Sequence, residues 1–312
     1  MFQTEYDTVN YEVCSIISRY RGLDGGIELE YTAKSITSME KRMTDTDRKE
    51  FIRRGFDLVA QGYDHPSLYF MPETARRMVN HLELQPQQNL LDVCTGTGVV
   101  ALAAAEKLTQ GKVTGIDLSS GMLQQAENKS REKGYDNTQF IQMDMDHLAF
   151  AEESFDIATS SFGLFFLEDM TRGLKNIARM VKPGGKVAIS SFKADAFSPM
   201  VQLFMRCYES FGHELPPLSW QRLSNSELLE SQFSAADLKV SSIHHEPLGY
   251  TMTNSQMWWD VVWNAGWRSL ISLLSEEEQR EFKKVHMKEV SELIGEEGVW
   301  FNTEVLIAIG EK

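Results

Sequence analysis

The chain has 312 residues, with 31 basic against 45 acidic side chains and a formal net charge of −14. This charge opposes binding to nucleic acid or anionic lipid, and a hydrophobic fraction of 42% is that of an ordinary globular protein. No stretch reaches the roughly 18 unbroken apolar residues of a membrane span. The acidic start MFQTEYDTVNYE is unlike a signal peptide, so we expect a cytoplasmic protein.

Residues 1–84 are expected to form an N-terminal helical segment and cap. Helical turns are expected in residues 1 to about 50, and apolar residues at helical spacing predict two helices from 51 to 84, separated by the breaker GYDHP. The segment EKRMTDTDRKEFIRRGF mixes basic residues with acids, which predicts a solvated helix face. Its basic residues are Lys41, Arg42, Arg48, Lys49, Arg53 and Arg54.

Strand-length and helix-like segments alternate between residues 88 and 192. The strand candidates are NLLDV, KVTGID, TQFIQMD, FDIATSS and KVAISSF, and helices centred near residues 103, 125 and 175 separate them. Alternation of this kind requires crossover connections. We therefore predict an α/β fold with a doubly wound parallel sheet and helices on both faces.

The stretch LLDVCTGTG predicts a ligand-binding loop at the carboxyl end of the first strand. Gly96 and Gly98 allow a tight turn and a close approach of the backbone to a ligand. The same glycines with Ala101 satisfy a dinucleotide fingerprint, so an NAD(P)-dependent oxidoreductase is an alternative. Asp92 beside the loop opposes a pyrophosphate and favours a cationic ligand end. Asp117, which closes KVTGID, suits a ribose diol or, alternatively, a helix N-cap.

Over residues 50–192 the sequence resembles the class I S-adenosylmethionine-dependent methyltransferases, especially the small-molecule branch with the ubiquinone/menaquinone C-methyltransferases. Four motifs in order carry the resemblance: LLDVCTGTG, GIDLSSGML, MDMDHLAFAEESFD and MVKPGGKVAISSF. Cys94 stands where that family usually has glycine. The resemblance implies a Rossmann-like, mostly parallel seven-stranded sheet with an N-terminal helical cap and helical insertions near the C-terminus. Its last, antiparallel strand is expected in VWFNTEVLIAIGEK.

The resemblance also implies the cofactor S-adenosylmethionine, the product S-adenosylhomocysteine and a cofactor-binding core at residues 85–192. Asp117 is implied at the ribose, Leu118 and Met122 at the adenine ring, and Asp144 at the adenine amino group. The full set of implied cofactor-binding residues is Tyr63, Asp92, Gly96, Gly98, Asp117, Leu118, Met122, Asp144, Met145 and Ser160.

Methyl transfer depends mainly on alignment, and a base is needed only if the acceptor must lose a proton. The candidate catalytic groups are His65 in GYDHPS, and His244 and His245 in the predicted strand SSIHHEPLGY. Alternation in that strand directs at most one of the latter two into a cleft. A surface position in a turn is the alternative for His65. No metal is expected, because Cys14, Cys94 and Cys207 are widely spaced without a Cys/His cluster.

Residues 193–312 are expected to build the acceptor pocket and complete the sheet. Trp259, Trp263 and Trp267 recur at four-residue spacing, which indicates core packing or an aromatic wall for the acceptor. Phe162 and Phe165 in FGLFFLED are further acceptor candidates. We therefore expect methyl transfer to a small, aromatic or apolar molecule. A non-catalytic cofactor-binding partner protein is another alternative.

Overall fold

The structure is a computed structural model that describes residues 44–312 except 214 and 216. The helical turns expected for residues 1–43, together with Cys14, Lys41 and Arg42, lie outside the described residues. In the described part of the chain, no helix is both long enough and apolar enough to cross a membrane.

A seven-stranded sheet forms the centre of the described chain, in the order β3-β2-β1-β4-β5-β9-β6. Its first five strands pair in parallel, and β9 is antiparallel to both β5 and β6. The strands are β1 (Leu90–Val93), β2 (Val113–Asp117), β3 (Thr138–Gln142), β4 (Phe155–Ser161), β5 (Val181–Phe192), β6 (Lys239–Glu246) and β9 (Val305–Glu311). The mostly parallel seven-stranded sheet with an antiparallel last strand is confirmed.

Ten α-helices accompany the sheet in the described residues. They are α1 (Asp45–Val59), α2 (Phe70–Leu82), α3 (Val99–Ala105), α4 (Ser120–Glu132), α5 (Met170–Met180), α6 (Met200–Ser210), α7 (Ser226–Ala235), α8 (Ser255–Asn264), α9 (Trp267–Ile271) and α10 (Glu276–Ile294). The helices predicted near residues 103, 125 and 175 are α3, α4 and α5. The two helices predicted around GYDHP are α1 and α2.

Local chemistry explains where several elements begin. A reciprocal capping box between Thr44 and Asp47 starts α1, and the Ser119 hydroxyl accepts the Met122 amide at the start of α4. The central strand β1 is buried along its whole length. This is the pattern of a parallel strand that helices cover on both faces.

Two expectations about elements are corrected. The stretch from residue 299 is not one strand, because Val299–Phe301 forms β8 and pairs with β7 (Tyr250–Met252) in a separate sheet. The tryptophan stripe is also interrupted, since α8 ends at Asn264 and Trp267 begins α9. The three tryptophans therefore do not share one helix face.

Candidate active site

A cleft lies at the carboxyl ends of β1, β2, β3 and β4, under α1. It encloses about 1070 Å³ of space between protein atoms, its open mouth included. It lies where the strand order reverses between β1 and β4, which is the usual ligand position in a doubly wound sheet.

Asp92 lies at the base of this cleft and is only 1% exposed. Its carboxylate accepts the hydroxyl of Thr95 at 2.6 Å and that of Thr159 at 2.7 Å. Burial raises the pKa of Asp92 to about 6, although both hydroxyls act in the opposite direction. Asp92 thus connects the loop that follows β1 with strand β4. Its carboxyl group is predominantly negative near neutral pH.

The loop after β1 has three residues in the left-handed region: Cys94 at φ 58°, Gly96 at φ 54° and Gly98 at φ 82°. This conformation explains why a glycine is usual at the position of Cys94. A Cβ on Gly96 would meet no atom within 4 Å, so the backbone there is open to a ligand. A Cβ on Gly98 would lie 2.9 Å from the Ala126 Cβ. Gly98 does not line the cleft, and it allows α3 to pack closely on α4.

Asp117 joins the ends of β1 and β2. Its carboxylate accepts the Gly96 amide and the Ser119 amide, each at 2.9 Å. Ser119 rather than Asp117 caps α4. Burial raises the pKa of Asp117, against the effect of these amides. Leu118 and Met122 line the cleft beside it, so a diol and a flat ring have matching surfaces here.

Asp144 and Met145 also line the cleft, and Asp144 contacts a lysine that we did not predict as a site residue. The Lys49 ammonium lies 2.8 Å from Asp144 and 2.6 Å from Asp146. The solvated helix face predicted for this segment is therefore wrong for part of α1. Lys49, Ile52, Arg53 and Phe56 all line the cleft. Their spacing of three, one and three residues is typical of one helix face and is the signal that identifies them.

The segment after α1 is fastened to the rim of the cleft. Tyr63 lines the cleft, and burial raises its pKa. The neighbouring Asp64 accepts the Thr97 hydroxyl at 2.8 Å and pairs with Lys129 at 2.7 Å. Asp57 in α1 accepts the Ser119 hydroxyl at 2.6 Å. These contacts hold α1 and the following loop over the cofactor motifs.

For two residues expected at the site, the next residue in the chain lines the cleft instead. Ser160 and Phe165 are buried but do not line the cleft, whereas Ser161 and Phe166 do. Adjacent residues in a strand point to opposite faces, so an error of one residue in β4 selects the wrong side. Phe162 lines the cleft as expected and stacks on Phe192, with the ring centroids 4.2 Å apart.

The three histidine candidates lie elsewhere in the structure. The His65 ring accepts the Ser67 amide at 3.2 Å and caps a short helical turn. In β6, at the far edge of the sheet, His244 stacks on His81 at 3.6 Å, and His245 contacts the Ser226 hydroxyl at 3.1 Å. No histidine of the described residues lines the cleft.

The tryptophan candidates pack between helices. Trp259 is buried in α8, where its ring lies 6.5 Å from that of Phe282 and beneath the Lys283 ammonium. Trp263 is 37% exposed and is covered by the Arg268 guanidinium. None of the described residues from 193 onwards lines the cleft. The geometry therefore corrects the expectation that this segment builds the wall of this cleft.

A group of possible metal-binding atoms lies between α6 and α10 and is better explained as packing. Ligand atoms of Cys207, His286 and Glu289 lie within 4.8 Å of one another. The indole of Trp258, which can only donate, gives a hydrogen bond to His286 Nε2 at 2.7 Å. Nδ1 of His286 must then carry the proton of the neutral ring, and a metal would have to displace it.

Comparison with known proteins gives relatives that match about half of the chain. The aklanonic acid methyltransferase DauC of Streptomyces sp. (strain C5) is 32% identical over 158 residues, or 50% of this chain and 72% of that protein. The ubiquinone/menaquinone biosynthesis C-methyltransferase UbiE of Bdellovibrio bacteriovorus is 35% identical over 147 residues, or 46% of this chain and 62% of that protein. The match thus spans less than two thirds of UbiE.

A solved structure shares the fold. The YcgJ protein of Bacillus subtilis is similar, with a TM-score of 0.53 and 20% sequence identity, over 77% of this chain and 98% of that chain. Residues 44–235 match the sequence pattern of the ubiE/COQ5 methyltransferase family. That match covers more than half of the chain and contains all four cofactor motifs. The chain therefore belongs to the ubiE/COQ5 methyltransferase family and is an S-adenosylmethionine-dependent methyltransferase.

Proposed function

We propose that the chain transfers the methyl group of S-adenosylmethionine to a carbon atom of a small, electron-rich aromatic acceptor, such as a phenol or a hydroquinone. The observation that carries this proposal is the apolar lining next to the cofactor motifs. Its side chains are Phe56, Met71, Phe162, Phe166 and Leu167. A flat apolar molecule would bury its faces against such a lining.

Carboxylates and the open backbone support a cofactor half of the same cleft. Asp117 would accept the ribose hydroxyls, and Asp144 would accept the adenine amino group. Tyr63 would lie towards the methionine end, where Asp92 adds negative charge. Bound there, the cofactor supplies an electrophilic methyl group on a sulfonium. Among the described residues, four aspartates line the cleft against the two cations Lys49 and Arg53, and this excess of negative charge disfavours a pyrophosphate and argues against the nicotinamide alternative.

The lining favours an acceptor that is acidic enough to ionise without a base from the protein. No histidine of the described part of the chain lines the cleft, and the acids there belong to the proposed cofactor half. An ionised phenol places negative charge on its ring carbons. The new carbon–methyl bond forms as the methyl–sulfur bond breaks, and the ring carbon then releases its proton to water. The protein would mainly align the two reactants.

Acceptor screening tests this proposal. The protein is incubated with S-adenosylmethionine labelled in the methyl group and with phenols, hydroquinones, amines, thiols and carboxylic acids. We expect label in phenols or hydroquinones, with NMR placing the new methyl on carbon. Label on nitrogen, sulfur or oxygen would contradict the proposed chemistry. A cofactor-binding partner without activity would bind S-adenosylhomocysteine but label none of them.

A matched pair of variants tests the position of the acceptor. Phe166→Ala removes a lining ring and should lower kcat/KM for the acceptor by roughly tenfold, with S-adenosylhomocysteine affinity unchanged. Phe165→Ala removes the adjacent ring, which is buried away from the cleft. It should lower thermal stability instead. Equal kinetic effects of both variants would count against the proposed position.

A further inference from the structure

Lys49 joins three carboxylates on the cleft side of α1. Its ammonium lies 2.8 Å from Asp144 Oδ2, 2.6 Å from Asp146 Oδ2 and 3.2 Å from Asp45 Oδ2. The Lys49 side chain is only 15% exposed. Arg54 on the same helix is 74% exposed and, among the described residues, pairs with Glu50 of α1. Lys49 is thus a partly buried cation that connects α1 to the segment after β3.

The contacts of Lys49 fix the carboxylate of Asp144 in orientation and in charge. Oδ1 of Asp144 accepts the Asp146 amide at 2.9 Å, and Oδ2 receives the Lys49 ammonium at 2.8 Å and lies 3.4 Å from Nδ1 of the exposed His147 ring. Burial alone would raise the pKa of Asp144, but the hydrogen bond and charge of Lys49, together with the hydrogen bonds from the Asp146 amide and from His147, outweigh burial and the pKa is lowered. Each carboxylate oxygen has two lone pairs. Asp144 therefore keeps the capacity to accept one more donor from the cleft.

We propose that Lys49 is a positioning residue for the adenine end of the cofactor, which it serves by holding the Asp144 carboxylate that receives the adenine amino group. This inference rests on the proposed adenine contact of Asp144. The Lys49 ammonium and the adenine amino group are both hydrogen-bond donors. Lys49 therefore acts on the amino group through the acceptor Asp144. Without Lys49, the Asp144 and Asp146 carboxylates would repel each other, and Asp144 would be oriented only by the Asp146 amide and the exposed His147 ring among the described residues.

The position of α1 does not depend on Lys49 alone. Asp57, also in α1, accepts the Ser119 hydroxyl at 2.6 Å and the Gly121 amide at 3.0 Å. The following loop is held through Asp64 and Lys129. Loss of Lys49 should therefore leave α1 in place and change mainly the recognition of the adenine edge.

The test compares two ligands by calorimetric titration. S-adenosylhomocysteine has the amino group, and S-inosylhomocysteine has a carbonyl oxygen in its place. A hydrogen bond to a charged group corresponds to a discrimination of at least about tenfold, which we expect for the unmodified protein. Lys49→Met should reduce it below about threefold, and Lys49→Arg should retain most of it. Arg54→Met, which removes an exposed cation from the same helix, should leave it unchanged.

Variants of Asp144 separate the two levels of the proposal. Asn keeps a carbonyl acceptor, so Asp144→Ala is used beside Asp144→Asn. If Asp144→Ala abolishes the discrimination but Lys49→Met keeps it, Lys49 has no positioning role while the contact of Asp144 stands. If Asp144→Ala and Lys49→Met both keep it, the adenine contact of Asp144 is wrong, and the role of Lys49 falls with it. Equal weakening of both ligands by Lys49→Met would show a structural role only. Circular dichroism establishes that each variant is folded, and Lys49→Gln replaces Lys49→Met if the latter is not.

Discussion

Asp92 keeps a carboxylate in a buried site, and that should cost stability. Its pKa is raised to about 6 from an ordinary value of 3.8. The cost is absent below about pH 4, increases between about pH 4 and 6 and is complete above, where it amounts to up to about 3 kcal/mol. In the proposed cofactor position, this charge would attract the cationic end of S-adenosylmethionine.

Asp92→Asn should therefore be more stable but less able to bind the cofactor. At neutral pH we expect a gain of up to about 3 kcal/mol in the free energy of unfolding, because the buried charge is removed while the threonine hydroxyls keep a partner. The gain should disappear near pH 4. Urea denaturation at both pH values measures it, and calorimetry should show weaker binding of S-adenosylmethionine. A variant less stable at neutral pH would contradict the assigned origin of the pKa.

Asp117→Ala should weaken S-adenosylhomocysteine binding at least about tenfold, because one or two hydrogen bonds to a charged acceptor are lost. The fold should persist, although the Gly96 amide loses its partner. Asp156→Ala is the control. Asp156 accepts the amide of Asn89, the residue before β1, at 2.7 Å and does not line the cleft. This variant should therefore keep normal affinity for S-adenosylhomocysteine. Unchanged affinity in folded Asp117→Ala would remove Asp117 from the cofactor site.

At the level of single residues, the sequence predicted the acidic residues of the cleft more accurately than the other residues that line it. Asp92 and Asp117 are identifiable because each stands where an apolar strand meets a loop. Ser160 was misplaced because strand periodicity does not fix which face of β4 borders the cleft. Lys49 was missed because its partners are about 95 residues away in the chain, and charge patterning reports only local neighbours.

At the scale of elements, the tryptophan pattern in α8 is compatible with two roles, core packing and an aromatic wall for the acceptor. Trp259→Ala removes a buried ring between α8 and α10, so we expect a loss of about 3 to 5 kcal/mol in the free energy of unfolding. Trp263→Ala, at a half-exposed site on the same helix, should lose distinctly less. Thermal melts and acceptor kinetics are measured together. A large rise in acceptor KM in a stable Trp259→Ala variant would restore the aromatic wall and contradict the packing role.

The contact between α8 and α10 should also be sensitive to acid. Burial lowers the pKa of His286 to about 4 from an ordinary value of 6.5. The unfolded chain then binds the proton first, so stability present above about pH 6.5 is lost as the pH falls towards 4, by up to about 3 kcal/mol. His286→Gln should flatten this part of the stability curve. Parallel curves for the two proteins would show that His286 is not buried in the neutral form.

At the scale of the whole molecule, the alternation of segments was sufficient to predict the parallel sheet and the side of it on which the cleft lies. Periodicity and loop chemistry are local signals, and the crossover rule converts them into topology. The wall of the proposed acceptor site was not predictable in this way. It depends on how α1 and the loop after β4 meet over the cleft. The segment from residue 193 onwards completes the sheet, but its described residues do not line the cleft.

Calorimetric titration of the unmodified protein tests most directly whether the cleft is built for S-adenosylmethionine. We predict that S-adenosylhomocysteine binds in the micromolar range or tighter with one site per chain, and that NAD and NADP produce no binding heat. The reason is the combination of the open backbone at Gly96 with the carboxylates of Asp92, Asp117 and Asp144. Micromolar binding of NAD, with no heat from S-adenosylhomocysteine, would contradict the account.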